Sequence, residues 1–280
     1  MNRGSQVLLI VLLAAVLGMG GLLIARNRTG GTGGATTPSR SSLLAYAPCG
    51  MSGPLQQAAT LFRHKHPEVP LEVVYDNANI LVRRVVKDGE RPDVFISPGE
   101  LELKQVSDKG LIDAASVTDF GTLDMVLIAP RQDKTVNSFD DLKQAKVEAV
   151  SLGDPKFNSV GYYGEQALRA LGLWDAVEPK LITREYPLEA FKLVEQNQVQ
   201  AGFAYLTCPL DTAPEKADKQ SVRIVQKVPR DKCPPIRLQL GVLKSSTQQA
   251  AAKVFIDFMT SKEAQQVMAK DGLLPLEVRK

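Results

Sequence analysis

Short apolar segments alternate with longer segments of helical periodicity along most of the chain. Strands are predicted where a few apolar residues occur together, and helices where apolar residues recur every three or four positions. The predicted strands cover residues 43–47, 71–75, 94–97, 125–129, 147–152, 181–183, 201–205 and 238–243. The predicted helices cover residues 53–64, 80–87, 101–109, 138–144, 161–171, 187–196, 248–260 and 262–270. This alternation is typical of α/β proteins whose mostly parallel sheets are covered by helices on both faces.

The alternating pattern occurs twice in succession, which predicts two lobes. We expect lobe 1 to comprise residues 43–123 and 240–280, and lobe 2 residues 124–239, because the final helices complete the first unit. The hinges are then expected near residues 122–125 and 237–240. Ligands of open parallel sheets bind beyond the carboxyl ends of the strands, so the loops that follow the predicted strands are the candidate binding loops.

The first 42 residues differ in composition from the rest of the chain. Residues 7–24 form an uncharged, mainly apolar run of 18 residues, which is long enough for a membrane-spanning helix and also resembles a long signal peptide. We therefore interpret residues 1–26 as a signal anchor or signal peptide, and the Gly/Thr/Ser-rich residues 27–42 as a flexible linker. We expect a domain on the periplasmic or extracytoplasmic face, anchored in the membrane by residues 7–24.

The net charge of +3 originates in this N-terminal part. Residues 1–42 carry four arginines and no acidic residue, so the remainder has 30 basic and 31 acidic residues. A nearly neutral globular part offers no electrostatic footprint for nucleic acid. The sequence also lacks a P-loop, G-x-S-x-G, H-E-x-x-H or C-x-x-C motif, and no histidine or second acid is placed by a motif beside its carboxylates. We therefore expect a protein that is not an enzyme and has no cofactor.

Residues 151–174 contain the clearest candidate for anion binding. A predicted strand leads through GDP at 153–155 and SVG at 159–161 into a predicted helix. The start of a helix presents free N–H groups and the positive end of the helix dipole. An ordinary strand-to-helix connection has the same pattern, but several predicted helices of this chain begin directly after strands. Converging helix ends can hold a multivalent oxyanion without a cationic side chain.

Several segments together resemble the molybdate-binding proteins of ABC importers, which belong to the type II periplasmic binding proteins. DVFIS at 93–97 is similar to the family's A-D-V-F-I-S-A passage. GDP at 153–155, VGYY at 160–163 and LGLW at 171–174 resemble its G-D-P, P-A-G-x-Y and G-L-W motifs, and AGFAY at 201–205 resembles A-x-x-V-Y. The resemblance covers about residues 43–275, with the motifs in family order.

This resemblance implies a two-lobed α/β fold, each lobe a mostly parallel sheet flanked by helices, with the ligand cleft between the lobes. It implies an extracytoplasmic solute-binding protein that holds a small tetrahedral oxyanion, similar to molybdate or tungstate, and delivers it to an ABC permease in the cytoplasmic membrane. A monomer is expected. The positions in this sequence that the resemblance and its neighbouring residues assign to ligand binding are Cys49, Gly50, Met51, Ser52, Asn77, Ala78, Ser159, Val160, Gly161, Pro187 and Tyr205.

Three of the five ligand positions of the family differ in this chain. One family serine falls on Gly50, a second falls near residues 77–78, and one amide donor falls on Pro187, which has no N–H. Tyr205 matches the family tyrosine, and Val160 matches the alanine of the P-A-G motif. The resemblance therefore implies the fold more directly than it implies the ligand.

The three cysteines leave at least one thiol unpaired in a monomer exported to an oxidising compartment. A disulfide of Cys208 with Cys233 or with Cys49 is one alternative, and the bond to Cys49 would tie the lobes together. The other alternative is a soft-metal site of Cys49, Met51 and Cys208, suited to Cu(I) or Zn. Two further functions therefore stay open beside oxyanion transport: a membrane-tethered ligand sensor and a copper-binding protein.

Overall fold

The computed structural model describes residues 42–208, 221–233 and 236–276. The predicted signal anchor at residues 1–26 and all but the last residue of the predicted linker lie outside these residues. Among the described residues, no helix has the length and apolar character needed to cross a membrane.

The described residues form ten β-strands and eight α-helices. The strands are Leu43–Pro48 (β1), Leu71–Asp76 (β2), Val94–Ser97 (β3), Thr118–Leu123 (β4), Met125–Pro130 (β5), Val150–Gly153 (β6), Leu181–Arg184 (β7), Ala201–Tyr205 (β8), Val222–Lys227 (β9) and Ile236–Val242 (β10). The helices are Ser52–Lys65 (α1), Ala78–Val86 (α2), Glu100–Ser107 (α3), Ser159–Ala170 (α4), Trp174–Val177 (α5), Pro187–Glu195 (α6), Gln249–Met259 (α7) and Lys262–Ala269 (α8).

The strands form two five-stranded sheets of the same design. The first sheet has the order β2-β1-β3-β10-β4, and the second has the order β7-β6-β8-β5-β9. In each sheet three neighbouring strands pair in parallel, and one strand, β10 or β5, runs antiparallel to both of its neighbours. Most strands of each sheet therefore share one direction. This confirms the predicted two-lobed α/β fold with mostly parallel sheets.

The pairing of β10 with its two neighbours shows where the chain returns to the first sheet. Residues 236–240 pair with β4, and residues 239–242 pair with β3. The predicted boundary between residues 239 and 240 therefore falls inside a strand that belongs wholly to the first sheet, as does the predicted hinge at 237–240. Where the chain first passes from the first sheet to the second, only Asp124 separates β4 from β5. The remaining lobe boundaries stay a prediction.

Two strands were not expected from the apolar pattern. Both β4 and β9 are the outermost strands of their sheets, and on its outer side β4 has an isolated bridge between Thr122 and Leu274. Their sequences, TDFGTL and VRIVQK, mix polar and apolar residues because several positions of each strand are only partly buried or are exposed. The helix predicted at 138–144 is a short 3-10 turn at Asp140–Lys143, and the strand predicted from residue 147 begins at Val150.

The final helices pack against α1, and their assignment to the first lobe stays a prediction. On α1 the buried apolar residues at positions 55, 58, 59 and 62 recur at helical spacing. The ring of Phe62 packs edge-on against Phe255 and Phe258 of α7, with ring centroids 5.1 Å and 5.3 Å away. Such aromatic pairs add about 0.5–1.5 kcal/mol each to the energy of burial. The packing holds the last helices against the first lobe.

Asp93 joins β1 to the loop after β10 through buried hydrogen bonds. Its carboxylate accepts the Leu44 N–H at 2.8 Å and the Ser246 hydroxyl at 2.7 Å. We expect Asp93→Ala to lower the free energy of unfolding by about 2–4 kcal/mol, because both donors lose a charged acceptor. Denaturant unfolding measures this change. Asp257→Ala, which removes an exposed partner of Lys253, is the control and should change stability by about 0.5 kcal/mol or less; equal losses would contradict the prediction.

Candidate functional site

The N-terminus of α4 is shaped by the residue that precedes it. The side-chain oxygen of Asn158 accepts the Gly161 N–H at 2.8 Å, which caps the helix. The side-chain amide of Asn158 donates to the Glu185 carbonyl at 3.0 Å and so ties the cap to the loop between β7 and α6. The Gly161 N–H, predicted to contact the ligand, therefore already has a partner in the cap. Ser159 and Val160, the first two residues of α4, are both buried.

A carboxylate from the first lobe lies at this helix N-terminus. Glu102 of α3 accepts two hydrogen bonds through Oε1: the Ser159 N–H at 2.8 Å and the Ser159 hydroxyl at 2.7 Å. Glu102 is 1% exposed, and its Oε2 has no hydrogen-bond partner among the described residues. Burial raises the pKa of Glu102, and the hydrogen bonds from Ser159 oppose this rise without cancelling it. The contact joins the two lobes at the predicted anion site.

Tyr205 borders the same buried region from the end of β8. Its side chain is fully enclosed, and its hydroxyl makes no hydrogen bond with any described residue. Burial raises the pKa of Tyr205 well above its usual value, and the negative charge of Glu102 adds to the rise, while the Ser159 hydroxyl opposes it. We call Glu102, Ser159 and Tyr205 the Glu102 cluster. It brings two predicted ligand residues together around a carboxylate that was not predicted.

The facing loops at the other predicted positions meet at a second point between the lobes. Asn77 donates its N–H to the side chain of the preceding residue at 2.8 Å, and Ala78 begins α2 as a buried residue. Pro187 begins α6 and offers no N–H. The link is made instead by Asn79, whose side-chain amide donates to the Glu185 carbonyl at 2.8 Å.

The loop between β1 and α1 approaches the end of β8. A Cβ built on Gly50 would lie 3.4 Å from the Sγ atom of Cys208. Cys49 is also close to this thiol, since its charge contributes to the raised pKa of Cys208. Met51 is fully buried in the hydrophobic core, and Ser52 donates its N–H to the Cys49 carbonyl at the start of α1. The predicted first-loop residues thus border Cys208, and the side chain of Met51 serves packing.

Comparison with known proteins identifies the family. Residues 43–274 match the family described as bacterial extracellular solute-binding protein. The chain belongs to this family. The match spans both sheets and the Glu102 cluster, so this solute-binding protein has its candidate site inside the matched region.

Two relatives and one solved structure show how similar this solute-binding protein is to others. YvgL of Bacillus subtilis (strain 168), named as an ABC transporter substrate-binding lipoprotein, is 29% identical over 219 residues, 78% of this chain and 80% of that protein. The molybdate-binding protein ModA of Haemophilus influenzae is 28% identical over 232 residues, 81% of this chain and 87% of that protein. The structure of the Azotobacter vinelandii periplasmic molybdate-binding protein matches with a TM-score of 0.69 at 19% identity, covering 84% of this chain and 100% of that one. The predicted family is thereby confirmed, and these relatives are binding proteins.

The cysteines of this solute-binding protein are free thiols in the described structure, without the disulfide that the sequence suggested. Burial raises the pKa of Cys208 to about 12 and that of Cys233 to about 11, and it also raises the pKa of Cys49. Metals bind the thiolate, so a metal at these thiols would have to displace their protons. The described residues contain no group of three His, Cys, Asp or Glu side chains arranged to hold a metal ion. The soft-metal alternative, a site of Cys49, Met51 and Cys208, stays a prediction.

Glu102 is the residue of the candidate site that sequence reasoning missed. The buried positions of α3 are Glu102, Leu103 and Val106, which are spaced as one face of a helix. A carboxylate on a buried helix face is rare and costly unless it has a partner. A glutamate at a buried position of this helix was therefore the one sequence signal that pointed to the site. Its partner Ser159 lies 57 residues further along the chain, and no local pattern links the two.

Proposed function

We propose that this solute-binding protein clamps a small tetrahedral oxyanion, of the class that includes molybdate and tungstate, between its two lobes. The observation that carries the proposal is the position of the Glu102 carboxylate at the N-terminus of α4. A carboxyl oxygen of the protein itself accepts both the backbone N–H and the hydroxyl of Ser159. Donors that accommodate a carboxylate oxygen in this geometry also suit an oxyanion.

Tyr205 supports the same proposal from the opposite side of the cluster. A buried hydroxyl that makes no hydrogen bond is uncommon in proteins and calls for an explanation. A ligand oxygen beside Tyr205 would provide its partner, which agrees with the place of this tyrosine in the molybdate-binding family. Each hydrogen bond to a charged ligand is worth about 1.5–3 kcal/mol, or about one to two decades of affinity.

The role in the cell follows from the family. A solute-binding protein of this type acts outside the cytoplasm and delivers its ligand to an ABC permease. We propose that residues 7–24 hold this one at the outer face of the cytoplasmic membrane, and that it works as a monomer. No described feature of the chain favours the tethered-sensor alternative.

Calorimetric titration tests the ligand class. Full-length protein in detergent is titrated with molybdate, tungstate, sulfate and phosphate, and we expect saturable one-to-one binding of at least one of them. Ser159→Ala should weaken that binding by about tenfold to a hundredfold, because it removes the hydroxyl donor that the ligand takes over from Glu102. Ser221→Ala, an exposed serine of the second lobe, is the matched control and should bind as the wild type does. If none of the four anions binds, the proposal is wrong.

A further inference from the structure

The contact between Glu102 and Ser159 joins the lobes and fills the candidate anion site. Oε1 of Glu102 accepts the Ser159 N–H at 2.8 Å and the Ser159 hydroxyl at 2.7 Å. Glu102 is 1% exposed and Ser159 is 0% exposed. The lobes meet so closely here that a Cβ on Gly99 would lie 2.9 Å from the Cβ of Ser159. An anion from solvent therefore reaches the donors of Ser159 only after Glu102 has withdrawn.

Glu102 and an oxyanion are alternative acceptors for the same two donors. A carboxyl oxygen and a ligand oxygen both suit the N–H and O–H groups at the start of a helix, and only one of them can occupy the position that Oε1 now holds. A competing group within the same chain acts at a high effective concentration, because it does not have to diffuse to the site. Glu102 is therefore placed to compete with the ligand.

The same contact is built so that it can open. Oε2 of Glu102 is buried without a hydrogen-bond partner among the described residues, and burying a polar atom in this way costs free energy. When the lobes separate, water hydrates both carboxyl oxygens. A further hydrogen bond between the lobes, from the side chain of Asn79 to the Glu185 carbonyl at 2.8 Å, is exposed and has water as a ready substitute. An anion with a full charge can therefore displace Glu102.

We propose that Glu102 is a releasable latch, which holds the ligand-free cleft closed by occupying the donors of Ser159 and which the oxyanion displaces when it binds. The inference rests on the proposed function, because it assumes an oxyanion at the same donors. We call the contact between Glu102 and Ser159 the Glu102 latch. Apparent affinity falls in proportion to the fraction of molecules that are ready to bind, so a latch that is closed in nine of ten molecules weakens binding about tenfold.

The pH decides how firmly the Glu102 latch holds. Burial raises the pKa of Glu102 in the closed cleft, and no lysine, arginine or histidine among the described residues contributes to the shift. The groups that act on this region are Ser159, the buried Tyr163 and Tyr205, whose own pKa values are raised, and the acid Glu100. In the open cleft the carboxyl is hydrated and titrates near the ordinary value for glutamate. Closing therefore takes up a proton, so the latch is firm below that ordinary pKa and is lost as the pH rises through the raised pKa.

Hydrogen exchange of the ligand-free, full-length protein in detergent tests the latch directly. The measurement is the protection of the amides at the start of α4, relative to their intrinsic exchange rates, at pH 6.0, 7.5 and 9.0. We expect wild-type protection to fall by about tenfold or more as the pH rises. Glu102→Gln keeps the Oε1 acceptor and cannot ionise, so its protection should stay high, whereas Glu102→Ala should be weakly protected throughout. Glu100→Gln, an exposed acid on the same helix, should follow the wild type.

Calorimetry with molybdate, tungstate, sulfate and phosphate compares the affinities of the same variants at equal pH. At pH 6.0 Glu102→Ala should bind about tenfold more tightly than the wild type, because nothing competes for the donors of Ser159. At pH 9.0 Glu102→Gln should bind about tenfold more weakly than the wild type, because its latch does not release. Simple repulsion between an ionised Glu102 and the anion predicts the opposite sign for Glu102→Gln, namely tighter binding at pH 9.0.

The outcomes separate this inference from the proposed function. If an anion binds but wild-type protection stays constant with pH, or Glu102→Gln binds more tightly than the wild type at pH 9.0, the inference is wrong and the oxyanion clamp stands. If neither the wild type nor any variant binds one of the four anions, the proposed function fails and the inference with it. The wild-type protein and Glu102→Gln decide the matter even if Glu102→Ala does not fold.

Discussion

Replacing Gly161 by alanine should destabilise the protein by about 3 kcal/mol and abolish oxyanion binding. A Cβ at this position would lie 2.2 Å from the carbonyl oxygen of Gly153 and 2.6 Å from backbone carbons of Gly153 and Asp154. All three contacts are with backbone atoms, so no change of side-chain rotamer relieves them. Helix α4 would have to move away from the end of β6, and the Asn158 cap and Ser159 would move with it.

Chemical unfolding and calorimetry with the preferred anion measure the two effects of Gly161→Ala. Gly53→Ala is the matched control: Gly53 lies in the first turn of α1, and a Cβ there would meet nothing within 4 Å. Since alanine is also the better helix former, the control should retain both stability and binding. A Gly161→Ala protein with wild-type stability and affinity would show that α4 does not need this close approach.

The fold was predictable because burial follows apolar spacing. Strands β1, β3 and β8 are buried along their whole length, so each appears in the sequence as a continuous apolar run. The edge strands β4 and β9 face solvent on part of their surface, and the same rule therefore gave no signal for them. The return of the chain through β10 was misplaced by a few residues, because pairing with β3 and β4 depends on distant parts of the sequence.

The candidate site was predictable only in its local parts. The Asn158 cap of Gly161 is a contact over three residues, and an asparagine before a helix is a known signal for it. Tyr205 and Ser159 were found through the family resemblance. The contact between Glu102 and Ser159 depends on how the lobes approach each other, which no spacing along the chain encodes. The pairing of the cysteines was equally hard to predict, because the number of residues between two cysteines does not give the distance between their thiols.

A side chain at Gly99 is expected to keep the lobes apart and to weaken oxyanion binding about a hundredfold, the equivalent of one lost charged contact. Gly99 precedes α3 in the first lobe, with a φ of 173°. This is extended backbone that any residue adopts, so a substitution causes no local strain. A Cβ there would lie 2.9 Å from the Cβ of Ser159 and 3.1 Å from its hydroxyl oxygen, across the contact between the lobes.

Gly99→Val therefore separates closure of the cleft from folding. The added side chain occupies the space through which Glu102 and Ser159 approach, while the interior of each lobe stays unchanged. We expect the free energy of unfolding to fall by no more than the loss of the buried Glu102–Ser159 contact, about 1–3 kcal/mol, and scattering to show a larger radius of gyration in the presence of ligand. Gly53→Val, where a Cβ meets nothing within 4 Å, controls for the change of residue. Wild-type affinity in Gly99→Val would mean that the ligand is held without the contact between the lobes.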